Sequence, residues 1–345
     1  MPDIRDAIKI TSMVSAAASV TQWGVPAIIG ESSATEKNTP KKFTSLELVK
    51  AEHGEDSDVY KGAYSMHKQG VKTVYTVSLA VTTAGTPTAT EVETALDTLS
   101  SYVSAGEIDA AVLAGITDSD LLEKLRDFAD EARIIFVATH AEEDTLSEIL
   151  ATATASSLES VNGFFVAYKS VESDDVACAV MGAIMARKPF NTLTWLEVDV
   201  DVDDYFSPAD LASLEDGRVN AIIRYTDDNR LSNGMSLDST VPFLDTTRTQ
   251  YYIETLIAET IAQERMNASQ VPYTQKGFEV IRSWIVAPLE ELIRVNSIDS
   301  YSVTMPDMEN ITTEDKANRI ITGVQIEIQT IGDIQAFEIS LNIKV

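Results

Sequence analysis

A single cysteine, Cys178, stands in 345 residues. One thiol cannot close an intrachain disulfide, and with only three histidines there is no Cys/His cluster at zinc spacing. Positive charge is scarce as well: 26 lysines and arginines face 54 acids, for a net charge of −28. Phosphate contact wants the opposite sign, which argues against direct nucleic-acid binding. No long apolar run exists either. The most apolar early stretch, MVSAAASVTQWGVPAIIG, is mostly small residues and is broken by Gly24 and Pro26, so it does not span a membrane. The opening MPDIRDAIKI carries charges where the apolar core of a secretory leader would sit, and a soluble protein is expected. Phosphate-binding glycine loops are missing too. Neither GxGxxG nor GxxxxGK[ST] follows any strand-like run, and no GxSxG elbow is present.

What is present is acid, unevenly placed. Residues 1–90 hold nine acids and nine bases, residues 91–240 hold thirty against nine, and residues 241–345 hold fifteen against eight. The middle region, at −21, reads as a solvated outer face. Such self-repulsion is also tolerable in a high-salt setting, where it is screened.

Patterning divides the chain similarly. WGVPAIIG reads as a strand, FTSLELVKAEHG as a short helix between Ser45 and Gly54, DVYKGAYSMHKQG as another, and VKTVYTVSLAV as a strand. The turn-rich TTAGTPTAT then marks an expected domain boundary near residue 90. From Glu91 to Ser239 apolar runs alternate with helical periods: AAVLAGI, RIIFVATH, GFFVAYK, LTWLEVDV and VNAIIRY as strands, with helices between them. This alternation indicates βαβ units and a mostly parallel sheet. Beyond Pro242 the character turns α+β. TQYYIETLIAETIAQER puts Ile253, Leu256, Ile257 and Ile261 on one helical face, and KGFEVIRSWIVAPLEELIRV follows, with Pro288 kinking it or opening a fresh helix. YSVTMP reads as a strand, and RIITGVQIEIQT as another with Ile320, Val324, Ile326 and Ile328 on one face.

Three places look like sites and lack the partners that chemistry needs. His140 ends the strand RIIFVATH, but no paired base or nucleophile is spaced with it. Cys178 lies within an apolar helical run, as a buried small hydrophobe would. Asp199, Asp201 and Asp203 alternate as in a calcium loop, yet Asp204 stands where the turn glycine belongs and Asp210 where the closing glutamate belongs. No catalytic residue, cofactor site or metal site is assigned.

The final residues, IQAFEISLNIKV, place Phe337, Ile339, Leu341, Ile343 and Val345 on every second position, the signature of a half-buried strand. Burying five such side chains is worth about 8–15 kcal/mol as an upper bound. The strand therefore needs a sheet, its own or a neighbour's.

Three stretches resemble the contractile tail sheath family of myovirus-type tails and related injection systems. They are GVPAIIG with FTSLELVKAEHG, then DVYKGAYSMHKQGVKTVYTVSLAV, and last PYTQKGFEVIRSW with TTEDKANRIITGVQIEIQTIGDIQAFEISLNIKV. One departure is that only Gly70 precedes VKTVY, where many sheath proteins carry two glycines. The resemblance implies an α/β and α+β multidomain fold. Its parts are an N-terminal arm (1–22), a sheath core shared by residues 23–90 and 241–333, a central acidic α/β domain (91–240), and a C-terminal strand arm (334–345). It further implies a non-enzymatic subunit that forms hexameric rings stacked into a helical tube around an inner tail tube. Arms would add strands to neighbouring subunits, through Phe337, Ile339, Leu341, Ile343 and Val345 with Val324, Ile326 and Ile328. Baseplate and tail terminator components would be partners, in a virion tail assembled in the host cytoplasm, with no membrane insertion. The alternatives are an α/β enzyme or small-ligand receptor whose terminal strands close its own sheet, and a non-contractile shell or baseplate component.

Overall fold

The computed structural model describes residues 23–171, 174–268 and 270–331. They fall into two compact units, one ending at Tyr252 and one beginning at Ile253.

The first unit is built on β1 (Pro26–Gly30), β2 (Lys41–Phe43), β3 (Val74–Ser78), β4 (Ala110–Leu113), β5 (Ile135–Ala138), β6 (Gly163–Ala167), β9 (Asn220–Tyr225) and β10 (Asp228–Leu231), while β7 (Ser170–Val171) and β8 (Val202–Asp204) form a small separate pair. The eight strands run in the order β10-β9-β6-β5-β4-β1-β3-β2. All neighbouring pairs from β9 to β3 are parallel, and each edge carries one antiparallel strand. Parallel strands are covered on both faces, and so every residue of β1, β3, β4, β5 and β6 is buried. Runs such as IFVA and GFFVA are apolar throughout for that reason.

Helices α1 (Leu46–His53), α2 (Asp58–Lys68) and α7 (Val176–Met185) cover one face, contributing Val49, Val59, Met66, Val180 and Ile184. Helices α3 (Ala89–Asp97), α5 (Ser119–Ala132), α6 (Leu146–Ala153) and α8 (Pro208–Asp216) cover the other, with Val92, Leu96, Leu122, Leu125, Ile149 and Leu214. The short α4 (Ser100–Ser104) follows α3. Thr88 with Glu91, Thr145 with Glu148 and Ser207 with Asp210 make reciprocal capping boxes that start α3, α6 and α8. Close approach of α2 and α7 depends on two glycines. A Cβ on Gly62 would stand 2.7 Å from Cys178 Sγ, and one on Gly182 would stand 2.8 Å from the Met66 Cα.

Helix α9 (Leu244–Asn267) begins in the first unit and ends in the second. Its first turns are tied to the sheet unit: Thr247 Oγ1 donates to the Val161 carbonyl (2.9 Å), Arg248 Nη2 to the Arg187 carbonyl (2.9 Å), and the Tyr251 hydroxyl to Asn162 Oδ1 (2.6 Å). The second unit continues with α10 (Gln275–Arg294), β11 (Ile298–Thr304), α11 (Thr313–Asn318) and β12 (Gln325–Thr330). Pro288 sits buried inside α10, which runs on as one helix. Among the described residues no helix is long and apolar enough to cross a membrane.

The sheet is continuous across residue 90: β1 lies between β3 and β4, and TTAGTPTAT lies in the connection from β3 to β4. One expectation is corrected: LTWLEVDV is not a strand of this sheet. Trp195 turns left-handed (φ 64°), and the segment runs beside β10 with one isolated bridge, Glu197 opposite Arg230, before β8 begins at Val202.

Gly182→Val is expected to destabilise the sheet unit by about 2–3 kcal/mol, because the added branch meets helix backbone rather than a movable side chain. Urea denaturation of the full chain measures this. An unchanged midpoint would contradict the close-approach reading.

Candidate assembly surface

In the second unit β11 and β12 pair antiparallel, with Tyr301 opposite Ile328 and Val303 opposite Ile326. Side chains alternate faces along each strand. One face carries Val303, buried, with Tyr301, Ile326 and Ile328 half-buried. The other carries Ser300, Ser302, Thr304, Gln325, Glu327 and Gln329, all exposed, with Ser300 Oγ 3.3 Å from Gln329 Oε1 and Ser302 Oγ 3.2 Å from Glu327 Oε2. Beside β11, α10 buries Phe278, Ile285, Leu289 and Leu292, and the Tyr301 hydroxyl donates to the Glu290 carboxylate. Val324 is half-buried just before β12.

The expected face therefore holds for Val324, Ile326 and Ile328 and fails for Ile320. That residue is 50% exposed, its carbonyl taken by the Tyr273 hydroxyl (2.8 Å), and the chain turns at Gly323 (φ 83°) before the strand starts. Phe337, Ile339, Leu341, Ile343 and Val345 lie outside the described residues. Among the described residues this sheet has two strands and therefore two edges open to a further strand. Two strands alone are marginal in water, and open edges are templates for pairing with another chain.

At the start of the described chain, residues 23–25 are stitched into the sheet unit. Trp23 N–H donates to the Met185 carbonyl (2.8 Å), and the ring meets Tyr252 edge-on at 6.0 Å. Val25 N–H donates to Asp109 Oδ2 (2.8 Å). This segment is where residues 1–22 attach.

The crevice beyond β1 and β4, where strand order reverses, is the place a doubly wound sheet binds ligands. Here it is lined by the chain's own acids. Asp175 caps α7, accepting from Cys178 N–H (2.9 Å) and Gly115 N–H (2.9 Å), and Glu31 accepts from Gly85 N–H (2.9 Å). Burial raises the carboxyl pKa of Asp175 and Asp58 above the usual range, with Glu31 and Asp175 adding to the rise at Asp58. A phosphate would meet carboxylates at both helix starts.

The three site-like sequence features have structural partners. His140 is buried, with Nδ1–H donating to the Ala141 carbonyl (2.6 Å) and Nε2 accepting from Tyr168 N–H (3.1 Å), stacked on the Tyr168 ring at 4.7 Å. Cys178 is fully buried, and burial pushes its thiol pKa up. Asp199 and Asp201 flank the ammonium of Lys68 at 3.9 and 3.8 Å, with buried Asp174 at 2.9 Å, so a lysine takes the place a cation would need. Among the described residues no group of three or more His, Cys, Asp or Glu is placed to hold a metal ion.

Sequence reasoning missed the partners of His53. Its Nδ1 lies 2.8 Å from Ser32 Oγ and its Nε2 2.7 Å from Thr76 Oγ1, with Ser78 and Lys37 completing the cluster. These residues converge from the ends of β1, α1 and β3, and nothing local in sequence marks them as partners.

With this geometry in place the solved structures give a consistent comparison. The chain matches the anti-feeding prophage helical sheath in its contracted state with a TM-score of 0.72 at 13% identity, covering 95% of each chain. It matches the contracted sheath complex of an extracellular contractile injection system with a TM-score of 0.73 at 13% identity, covering 97% of this chain and 95% of that one. The chain has the fold of contractile sheath proteins. A chain of the six-fold symmetrised anti-feeding prophage baseplate matches with a TM-score of 0.74 at 12% identity, covering 100% of this chain and 99% of that one. No family model and no curated protein sequence matches this one. At such identities the likeness is one of fold.

Burial holds the His53 imidazole at about 4, below its ordinary 6.5. Between those values the unfolded chain binds a proton that the folded chain refuses, so stability falls as pH drops from about 6.5 to about 4 and the loss levels off below that. The difference corresponds to about 3 kcal/mol. Denaturation midpoints measured from pH 7 to pH 4 are expected to fall more steeply for wild type than for His53→Gln. Equal slopes would contradict the assignment.

Proposed function

We propose that this chain is a structural, non-enzymatic subunit of a contractile sheath. The reading rests on one observation, the match over nearly the whole of both chains to sheath proteins in the contracted state. Copies of the chain assemble as hexameric rings stacked into a helical tube around an inner tail tube, bounded by baseplate and tail terminator components, within a contractile tail or injection system. The β11–β12 sheet is the recipient of added strands, and residues 334–345 are a strand donated to a neighbour. A head-to-tail contact of this kind does not close on itself and so propagates into a tube.

Contraction is a rigid-body change of the globular parts, with arms keeping subunits tethered. Its free energy comes from better-packed contracted interfaces, without a nucleotide. The acidic middle region then faces solvent, and driving the inner tube through a cell envelope is the mechanical output. A second reading, favoured by the full-length match to a baseplate chain, places the subunit at the baseplate end of the assembly.

Deleting residues 334–345 is expected to leave a folded subunit that no longer sediments as polymer. Register provides the sharper test. One residue inserted after Ile334 sends Phe337, Ile339, Leu341 and Ile343 to the opposite face, whereas two residues only lengthen the link at a cost of a few tenths of a kcal/mol. Sedimentation is expected to show greater damage from the single insertion. Equal assembly of the two variants would overturn the strand-donation reading while leaving the sheath fold untouched.

A further inference from the structure

Along residues 195–203 the exposed positions alternate as Trp195, Glu197, Asp199, Asp201 and Asp203, while Leu196, Val198 and Val200 are buried. Trp195 is the one apolar member of an otherwise acidic outer row. It is 43% exposed and meets Tyr225, itself 50% exposed, edge to face at 4.9 Å. The backbone holds it there in a left-handed conformation (φ 64°), and among the described residues it is the only aromatic one in that conformation. A bulky side chain rarely adopts this backbone without support. The support is present: Trp195 N–H donates to the Leu231 carbonyl (3.0 Å), and Arg230 Nη1 donates to the Trp195 carbonyl (3.0 Å). Arg230 is in turn held by Asp228 (3.1 Å) and lies 3.6 Å from Glu197, so its charge is met within the chain. Exposed Asp227 stands in the β9–β10 turn, two residues after Tyr225.

We infer that the Trp195–Tyr225 pair is a docking point for another protein, one that presents an arginine or lysine side chain to the aromatic faces. Charge complementarity selects this occupant. The pair stands in a region carrying thirty acids and nine bases, and on the elements that hold it Glu197, Asp227 and Asp228 outnumber Arg224 and Arg230. Aromatic faces attract cations, and more strongly once the contact is desolvated. Aromatic anchors with arginine partners also recur as the energetic centres of protein interfaces. The inference stands on the sheet unit alone and does not depend on the sheath reading.

The full chain is titrated with a ten-residue Gly-Arg repeat peptide at 0.15 M salt, following the Trp195 indole N–H signal, assigned from Trp195→Phe. The expected result is saturable binding that moves this signal more than those of Trp23 and Trp284. Trp195→Ala is expected to weaken affinity about tenfold and Asp227→Asn about threefold, with unchanged circular dichroism showing that both variants fold. Peptide binding that leaves the Trp195 signal fixed, or that Trp195→Ala does not weaken, reflects bulk charge alone and overturns the inference. Maltohexaose moving the signal where the peptide does not would assign the pair to sugar recognition and overturn it equally.

Discussion

Every strand edge leaves backbone N–H and C=O groups that need partners, and the eight-stranded sheet and the β11–β12 sheet meet that requirement in opposite ways. The eight-stranded sheet finishes itself. At one end β2 is three residues long and carries Lys41 and Lys42, a poor template for further pairing. At the other, residues 195–198 cover β10 through the Trp195 N–H to Leu231 carbonyl, Leu231 N–H to Leu196 carbonyl and Val198 N–H to Asn229 carbonyl bonds. The β11–β12 sheet has no such cover among the described residues. Among the described residues the chain thus pairs a capped large sheet with an uncapped small one, the asymmetry that the proposed strand addition calls for.

Charge follows the same division of labour. Within the large sheet, the elements from residues 23–90 are near neutral, whereas those after residue 90 supply the excess acid. Individual acids are managed locally where they crowd: Lys68 serves Asp174, Asp199 and Asp201, and Lys169 lies 2.5 Å from Asp204. Others, among them Glu197, Asp203 and Asp227, are exposed, and like charge on a surface opposes indiscriminate association. The reversal point of the sheet likewise carries the chain's own carboxylates, with Asp175 accepting from Cys178 N–H and Gly115 N–H and Glu31 from Gly85 N–H.

Much of this was legible in the sequence, and the misses have physical causes. Parallel strands such as IFVA and GFFVA declared themselves because burial on both faces demands continuous apolar runs. The period-two pattern of Val324, Ile326 and Ile328 is also readable, but hydrophobic spacing extends it to Ile320, because a left-handed glycine at 323 interrupts the strand without disturbing that spacing. β10 was invisible since DNRL has no apolar alternation, its place being set by the hairpin with β9. LTWLEVDV has true alternation of burial without a strand of the main sheet, since alternation reports facing and not pairing. TTAGTPTAT, in the connection from β3 to β4, shows that a crossover loop and a domain linker use the same turn residues. The Lys68 contacts span more than 100 residues, and no local pattern announces them.

The central claim, that this fold serves as a self-assembling sheath subunit, is tested most directly by electron microscopy of the purified full-length chain as its concentration is raised. The account expects stacked rings or tubes with a helical repeat, in which residues 325–330 of one subunit pair with a strand from another. Compact monomers at every concentration, or a reconstruction in which residues 334–345 close their own subunit's sheet, would contradict it.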